Sequence, residues 1–301
     1  MKHLNIILLI LILPLAGTVF GQSCCDKPSK KASRKARKAQ AVKVENASAN
    51  ATFVSFADDE NFRNQHDEPL PINLEDPKGK NIRYATPDGK EAMAYEILPD
   101  GNTDRTILVI HEWWGLNDHI RAESEKIFAE LNGKVRVLAL DIYDGNVAET
   151  QEDASKFMQA VKEERAVAII KGAFAYVGEE SRVGTIGWCF GGGWSLQAAI
   201  LGGEQVAACV MYYGMPEQNR ERLSALSAPV LGIFAGKEQW INAEVVSKFE
   251  EDLKALDKTY TIRTFDADHA FANPSRPSFN EDAAEIANTL SMEFFREKLG
   301  L

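Results

Sequence analysis

Two kinds of hydrophobic pattern alternate along most of this chain. Val183-Gly-Thr-Ile-Gly187, Val206 to Tyr212, Val230 to Ala235 and Tyr260 to Phe265 read as strands, and Thr106-Ile-Leu-Val-Ile-His111 and Val135-Arg-Val-Leu-Ala-Leu140 are short apolar runs that end in polar loops. Strands buried on both faces of a sheet read this way, because neither face alternates with water. Between them, apolar residues return every three or four positions, which predicts helices at Ile120 to Leu131, Val245 to Leu256 and Asp282 to Lys298. Asp118 is a plausible cap for the first of these, Ala154 to Val177 reads as one or two helices, and Gly193 to Ile200 is helix-like. Strand and helix in steady alternation predict an α/β fold, a mainly parallel central sheet with helices on both faces.

The alternation begins only near Lys80. Lys2, the apolar run Leu4 to Leu15 and the small or uncharged residues up to Gly21 read as a cleaved export signal, residues 1–21, the apolar run being short for a membrane span, with retention as an uncleaved anchor the alternative. Gly-Gln-Ser before Cys24 is a poor lipoprotein signal, so lipidation there is the lesser alternative. Asp26 to Lys43 holds eight Lys or Arg and one acid, and Val44 to Gly79 is rich in Pro, Asn and Asp with few apolar anchors. Residues 22–79 are therefore expected to be a basic, largely disordered arm and lead-in, and residues 80–301 the folded domain. The expected location is periplasmic or secreted.

Charge sharpens that division. The 301 residues are 45% apolar and 26% charged, enough for one sizeable core. Outside the basic block and Lys2 there remain 25 basic and 43 acidic side chains, a charge of about −18. An acidic domain repels phosphates, which argues against nucleic acid as a partner. The arm reads as a solvated linker drawn loosely to its own domain, with electrostatic contact to an anionic envelope surface as the functional alternative. Of the four cysteines, Cys24 and Cys25 fall in the arm and Cys209 lies inside an apolar strand as an expected core thiol. Cys189 is different.

It stands in Gly187-Trp-Cys-Phe-Gly-Gly192, where a strand-like run meets a helix-like one. A strand turning sharply into a helix through G-x-C-x-G is a nucleophile elbow, and Gly187 and Gly191 remove collisions that the tight turn would create. Reactive groups of a parallel sheet gather at the carboxyl ends of its strands. Glu238 follows the strand ending at Ala235, and His269 follows the one ending at Phe265. Nucleophile, acid and histidine thus occur in hydrolase order: His269 to take or hold the thiol proton, Glu238 to fix the imidazole tautomer. His3 and His66 fall in the signal and arm, and His119 reads as a surface or packing residue.

His111-Glu112-Trp113-Trp114-Gly-Leu-Asn117 follows the first long strand. In such a fold that loop supplies one backbone N–H of an oxyanion hole, here Trp113, and the residue after the nucleophile, Phe190, supplies the other. Glu112 could serve a thiol as a second base or lie in water. Trp114, Tyr143, Trp188, Trp240 and Phe271 are candidates for an apolar pocket, each equally eligible for the core. The three domain histidines are scattered and no C-x-x-C occurs, so no metal site and no cofactor are expected.

Together the H-E-x-x-G-L-N loop, the G-x-C-x-G-G elbow, the G-x-x-acid site and the final H-A-F resemble the dienelactone hydrolase family, over about Lys80 to Leu301. The resemblance implies an α/β-hydrolase fold, Cys189 as nucleophile, His269 as base and Glu112 as a partner that contacts the thiol and assists its ionisation when substrate binds. It implies hydrolysis of a small ester or lactone by a carboxymethylenebutenolidase-like enzyme through a cysteinyl acyl-enzyme. Two positions depart from the family. Glu238 stands where aspartate is usual, and Asn273 stands where the best-known members carry a carboxylate-gripping arginine, which removes the main reason to expect an anionic dienelactone. The rival reading is a catalytically weak binding or scaffold protein of the envelope, since a reactive thiol outside the cytoplasm risks oxidation.

Overall fold

In a computed structural model the described residues are 56–301, so the expected export signal, Cys24 and the basic block lie outside them. Eight strands form one sheet: β1 (Lys80–Ala85), β2 (Glu91–Ile97), β3 (Arg105–Ile110), β4 (Arg136–Leu140), β5 (Arg182–Trp188), β6 (Val206–Tyr212), β7 (Val230–Ala235) and β8 (Tyr260–Phe265). Their spatial order is β1-β2-β4-β3-β5-β6-β7-β8, antiparallel up to β4 and parallel from there. The six runs read as strands are the six parallel strands. β5 is central, with β3 and β6 on either side and every residue from Val183 to Trp188 buried.

Helices cover the sheet as the periodicity predicts. The chain forms α1 (Glu60–Asn64), α2 (Asp118–Glu130), α3 (Gln151–Ala160), α4 (Glu163–Val177), α5 (Phe190–Gly202), α6 (Arg220–Ser224), α7 (Ala243–Ala255) and α8 (Glu281–Leu299). The stretch from Ala154 to Val177 is two helices because Val161 is extended at φ −63°, ψ 116°. The side chain of Asn117, rather than Asp118, caps α2 by accepting from the Ile120 N–H at 3.2 Å. Asn and Asp serve equally as caps, and here the backbone leaves the helical region one residue earlier. Strands β1 and β2 were not among the predicted runs. β1 mixes Lys80, Asn81 and Arg83 with apolar residues, as an edge strand exposed to water must.

The folded body also begins before Lys80. Phe56–Asp58 form a 3-10 turn and α1 follows it, with Phe62 buried against Trp113 and Trp240 at ring separations of 5.5 and 5.4 Å. Ser155 on α3 donates to the Ala57 carbonyl at 3.1 Å, and Gln151 donates to the His66 carbonyl at 2.9 Å. The expectation of an unstructured lead-in up to residue 79 is corrected for this segment. A helix of five residues with one fully buried aromatic has no periodicity to read, and only the tertiary pocket stabilises it.

Candidate active site

The elbow follows from its glycines. Cys189 sits between β5 and α5 at φ 56°, ψ −119°, backbone space that an L residue occupies only under strain. Its N–H donates to the Tyr212 carbonyl at 3.0 Å, which ties the turn to β6. A Cβ on Gly187 would run into the Gly191 carbonyl oxygen, and one on Gly191 into the Ile110 carbonyl oxygen. The turn therefore closes only with glycine at both positions.

Three strand ends converge on the sulfur. His269 Nε2 lies 3.2 Å from Cys189 Sγ, and Glu238 Oε2 holds His269 Nδ1 from the other side. Glu238 Oε1 accepts from the Trp240 N–H at 3.2 Å, so the longer glutamate fits without losing its second oxygen. All three side chains are buried. Burial opposes charge on His269, yet Glu238 and Cys189 outweigh it and hold the imidazole pKa well above its ordinary value. Burial likewise opposes ionisation of Glu238, and the His269 charge overrides it to leave the carboxyl below its usual range.

Glu112 is buried beside the site. Its Oε2 accepts from Asn273 Nδ2 at 2.7 Å. The described hydrogen-bond partners of the sulfur are His269 and, at 3.4 Å, Nε2 of His66. Burial pushes the Glu112 pKa up, against Arg276 and the Asn273 hydrogen bond, which lower it.

Two residues at the site were missed by sequence reasoning. His66 follows α1, stacks on Trp113 at 4.7 Å, and sends Nδ1 to the Phe62 carbonyl at 2.8 Å. A carbonyl only accepts, so Nδ1 carries the proton and Nε2 faces the sulfur as a bare lone pair. Burial, then the charges of His269 and Arg276, lower the His66 pKa well below its ordinary value. Arg276 is the second. It is buried, its Nη1 donates to the Asp67 carbonyl at 3.3 Å, and its Nε has no hydrogen-bond partner. It supplies positive charge toward Glu112 from three residues beyond Asn273, a loop position with no pattern to announce it. For His66 the visible signal was only a histidine four residues after a phenylalanine.

The pocket candidates divide. Trp114, Trp188 and Asn273 line a cleft together with Glu112, His119 and Pro69. Tyr143 is buried and donates to the Trp113 carbonyl at 3.2 Å, and Phe271 packs in the core against Tyr213 and Phe265. Trp240 packs on α1. His119 reaches the cleft with Nε2 donating to the Leu70 carbonyl at 2.7 Å. Trp113 is fully buried in the loop after β3, and Phe190 is the first residue of α5. Cys209 is buried, and burial pushes its thiol up to about 11.

A mainly parallel eight-stranded sheet in this order, with cysteine, acid and histidine after β5, β7 and β8, defines an α/β-hydrolase fold. The description of the dienelactone hydrolase family matches residues 92–299, and the chain belongs to that family of hydrolases. "Protein usf" of Aquifex pyrophilus is 27% identical over 203 residues, 64% of this chain and 88% of that protein. "Carboxymethylenebutenolidase 1" of Cupriavidus pinatubonensis is 24% identical over 227 residues, 70% of this chain and 94% of its own. Among solved structures, a dienelactone hydrolase-like promiscuous phosphotriesterase from metagenomic libraries superposes with a TM-score of 0.64 at 18% identity, covering 73% of this chain and 99% of its own.

Proposed function

We propose that this hydrolase cleaves a small carboxylic ester or lactone through a cysteinyl acyl-enzyme. The observation that carries the reading is Cys189 at a strained elbow with His269 Nε2 at 3.2 Å and Glu238 on the opposite ring nitrogen. Sγ attacks the carbonyl carbon while its proton resides on His269. The resulting oxyanion is met by the backbone N–H groups of Trp113 and Phe190, as the fold and the elbow position support. The C–O bond then breaks and His269 gives its proton to the leaving oxygen. A water enters, yields a proton to His269 and attacks the acyl carbon, and the C–S bond breaks to restore the starting state.

The cleft walls of Trp114 and Trp188 suit an apolar or aromatic acyl group. Asn273 engages Glu112, so it offers no charge to a substrate carboxylate, and neutral esters and lactones are the favoured class. Glu112, its pKa raised by burial, is placed to exchange Asn273 for another partner when substrate enters. We infer in addition that residues 1–21 direct export and are then removed; cell fractionation with mass spectrometry of the mature chain tests this, and a cytoplasmic protein overturns the export while an intact Met1 on the envelope-localised protein overturns the cleavage.

One observation favours the rival binding role: Cys189 is buried beneath His66. Turnover of p-nitrophenyl acetate decides between them. The hydrolase reading expects multiple turnovers in the full chain and loss of at least about 10³-fold in Cys189→Ala. Equal rates in the two proteins overturn it.

A further inference from the structure

The reaction needs one base on the sulfur, and the structure supplies two. His66 Nε2 lies 3.4 Å and His269 Nε2 3.2 Å from Cys189 Sγ, and the three atoms fall within 4.8 Å of one another. The single thiol proton can satisfy only one of these lone pairs. Acyl transfer gives the second imidazole no task, yet its aim is fixed through Nδ1 on the Phe62 carbonyl and by its stack on Trp113.

A thiolate and two imidazoles, each with its far nitrogen held by a carbonyl or a carboxylate, is the donor set of a zinc-type ion. Metal-bound histidines almost always carry such a second partner, which sets the tautomer and aims the free nitrogen. His66 has the Phe62 carbonyl and His269 has the Glu238 carboxylate. The spacing agrees as well. Zn–S near ~2.3 Å and Zn–N near ~2.0–2.1 Å give tetrahedral S···N edges of about 3.5 Å, close to the 3.4 and 3.2 Å of the two S···N edges here. Soft sulfur with imidazole selects zinc over magnesium or calcium, which take oxygen.

We propose that His66, Cys189 and His269 form a binding site for a zinc-type divalent ion, with a fourth position left to water. Binding replaces the proton shared by Cys189 and His269, which leaves to solvent, and a Zn–S bond forms with no change in oxidation state. The ion then occupies the sulfur and Nε2 lone pairs on which hydrolysis depends, so the metal-bound protein is the inactive one. Binding itself stands on the geometry; the silencing rests on the proposed reaction.

The test titrates the full chain with Zn²⁺ against a chromophoric chelator and with Co²⁺ by absorption, all proteins carrying Cys24→Ser and Cys25→Ser so that Cys189 and the core Cys209 are the thiols that remain. One equivalent is expected, with a sulfur-to-cobalt charge-transfer band. His66→Ala should weaken binding by at least about tenfold, and Cys189→Ser should remove the band. His66→Gln replaces His66→Ala if the latter fails to fold. Zn²⁺ should slow alkylation of Cys189 more than about tenfold, with EDTA restoring it. Equal affinity in wild type and the His66 variant, or a cobalt spectrum without the sulfur band, overturns the site. Ester turnover that Zn²⁺ leaves unchanged overturns the silencing, whereas metal bound as described in a protein without turnover overturns only the hydrolase reading.

Discussion

Individual residues at the elbow have little freedom. A methyl group on Gly191 meets the backbone carbonyl of Ile110 in β3, where nothing flexible can yield, so Gly191→Ala should cost more than about 3 kcal/mol by urea denaturation. Stability within 1 kcal/mol of wild type would show that the turn opens more easily than its packing indicates. At Glu238 the carboxylate both orients His269 and stabilises its charge. Glu238→Gln keeps the shape and loses the charge, so kcat on an activated ester should fall by about 10³–10⁴, while Glu238→Asp should retain a larger share. Equal rates in Gln and wild type would remove Glu238 from the reaction. These roles were legible from G-x-C-x-G and from the strand ends. The partner of Glu112 was not, because the choice between sulfur and Asn273 depends on how two distant loops pack.

Among the elements, α1 does what its length would not suggest. Five residues cannot hold a helix in water, and Phe62 holds this one by filling a pocket between Trp113 and Trp240. Phe62→Ala should destabilise the local structure by about 3 kcal/mol, releasing α1 and with it His66. Iodoacetamide should then label Cys189 faster than in wild type; an unchanged rate would mean that α1 does not govern access to the thiol. The long elements behave as their patterns predict. β5 reads as a strand and is one, and α5 carries Gly191 to Gly193 because it starts against β3 and β6.

For the whole molecule, two buried histidines with lowered pKa, His111 and His66, weaken the fold in acid. His111 donates from Nδ1 to the Glu112 carbonyl and accepts the Ile142 N–H at Nε2, and burial lowers its pKa to about 4. A folded value below the unfolded one near ~6.5 means that the unfolded chain takes up a proton first, so stability present above pH ~6.5 is lost as pH falls toward ~4. The loss reaches about 3 kcal/mol at the lower end, and His66, lowered in the same direction, adds to it. Denaturation at pH 7 and pH 5 should show about 2 kcal/mol of this drop, and His111→Gln should reduce it; an equal drop in both proteins would place the acid response elsewhere. What the sequence determined by itself is whatever depends on neighbours along the chain: six strands, the helices between them, a glycine-framed cysteine, and an acid and a histidine after later strands. The resemblance of four short motifs then gave the family. Tertiary structure alone decided which groups touch the sulfur. His66 arrives from 123 residues away, Glu112 pairs with Asn273 across 161, and Arg276 brings charge to Glu112 from a loop without a pattern. Local periodicity reports which face of an element is buried, whereas contacts between loops arise from the closing of the sheet and the docking of a short segment that no local preference stabilises.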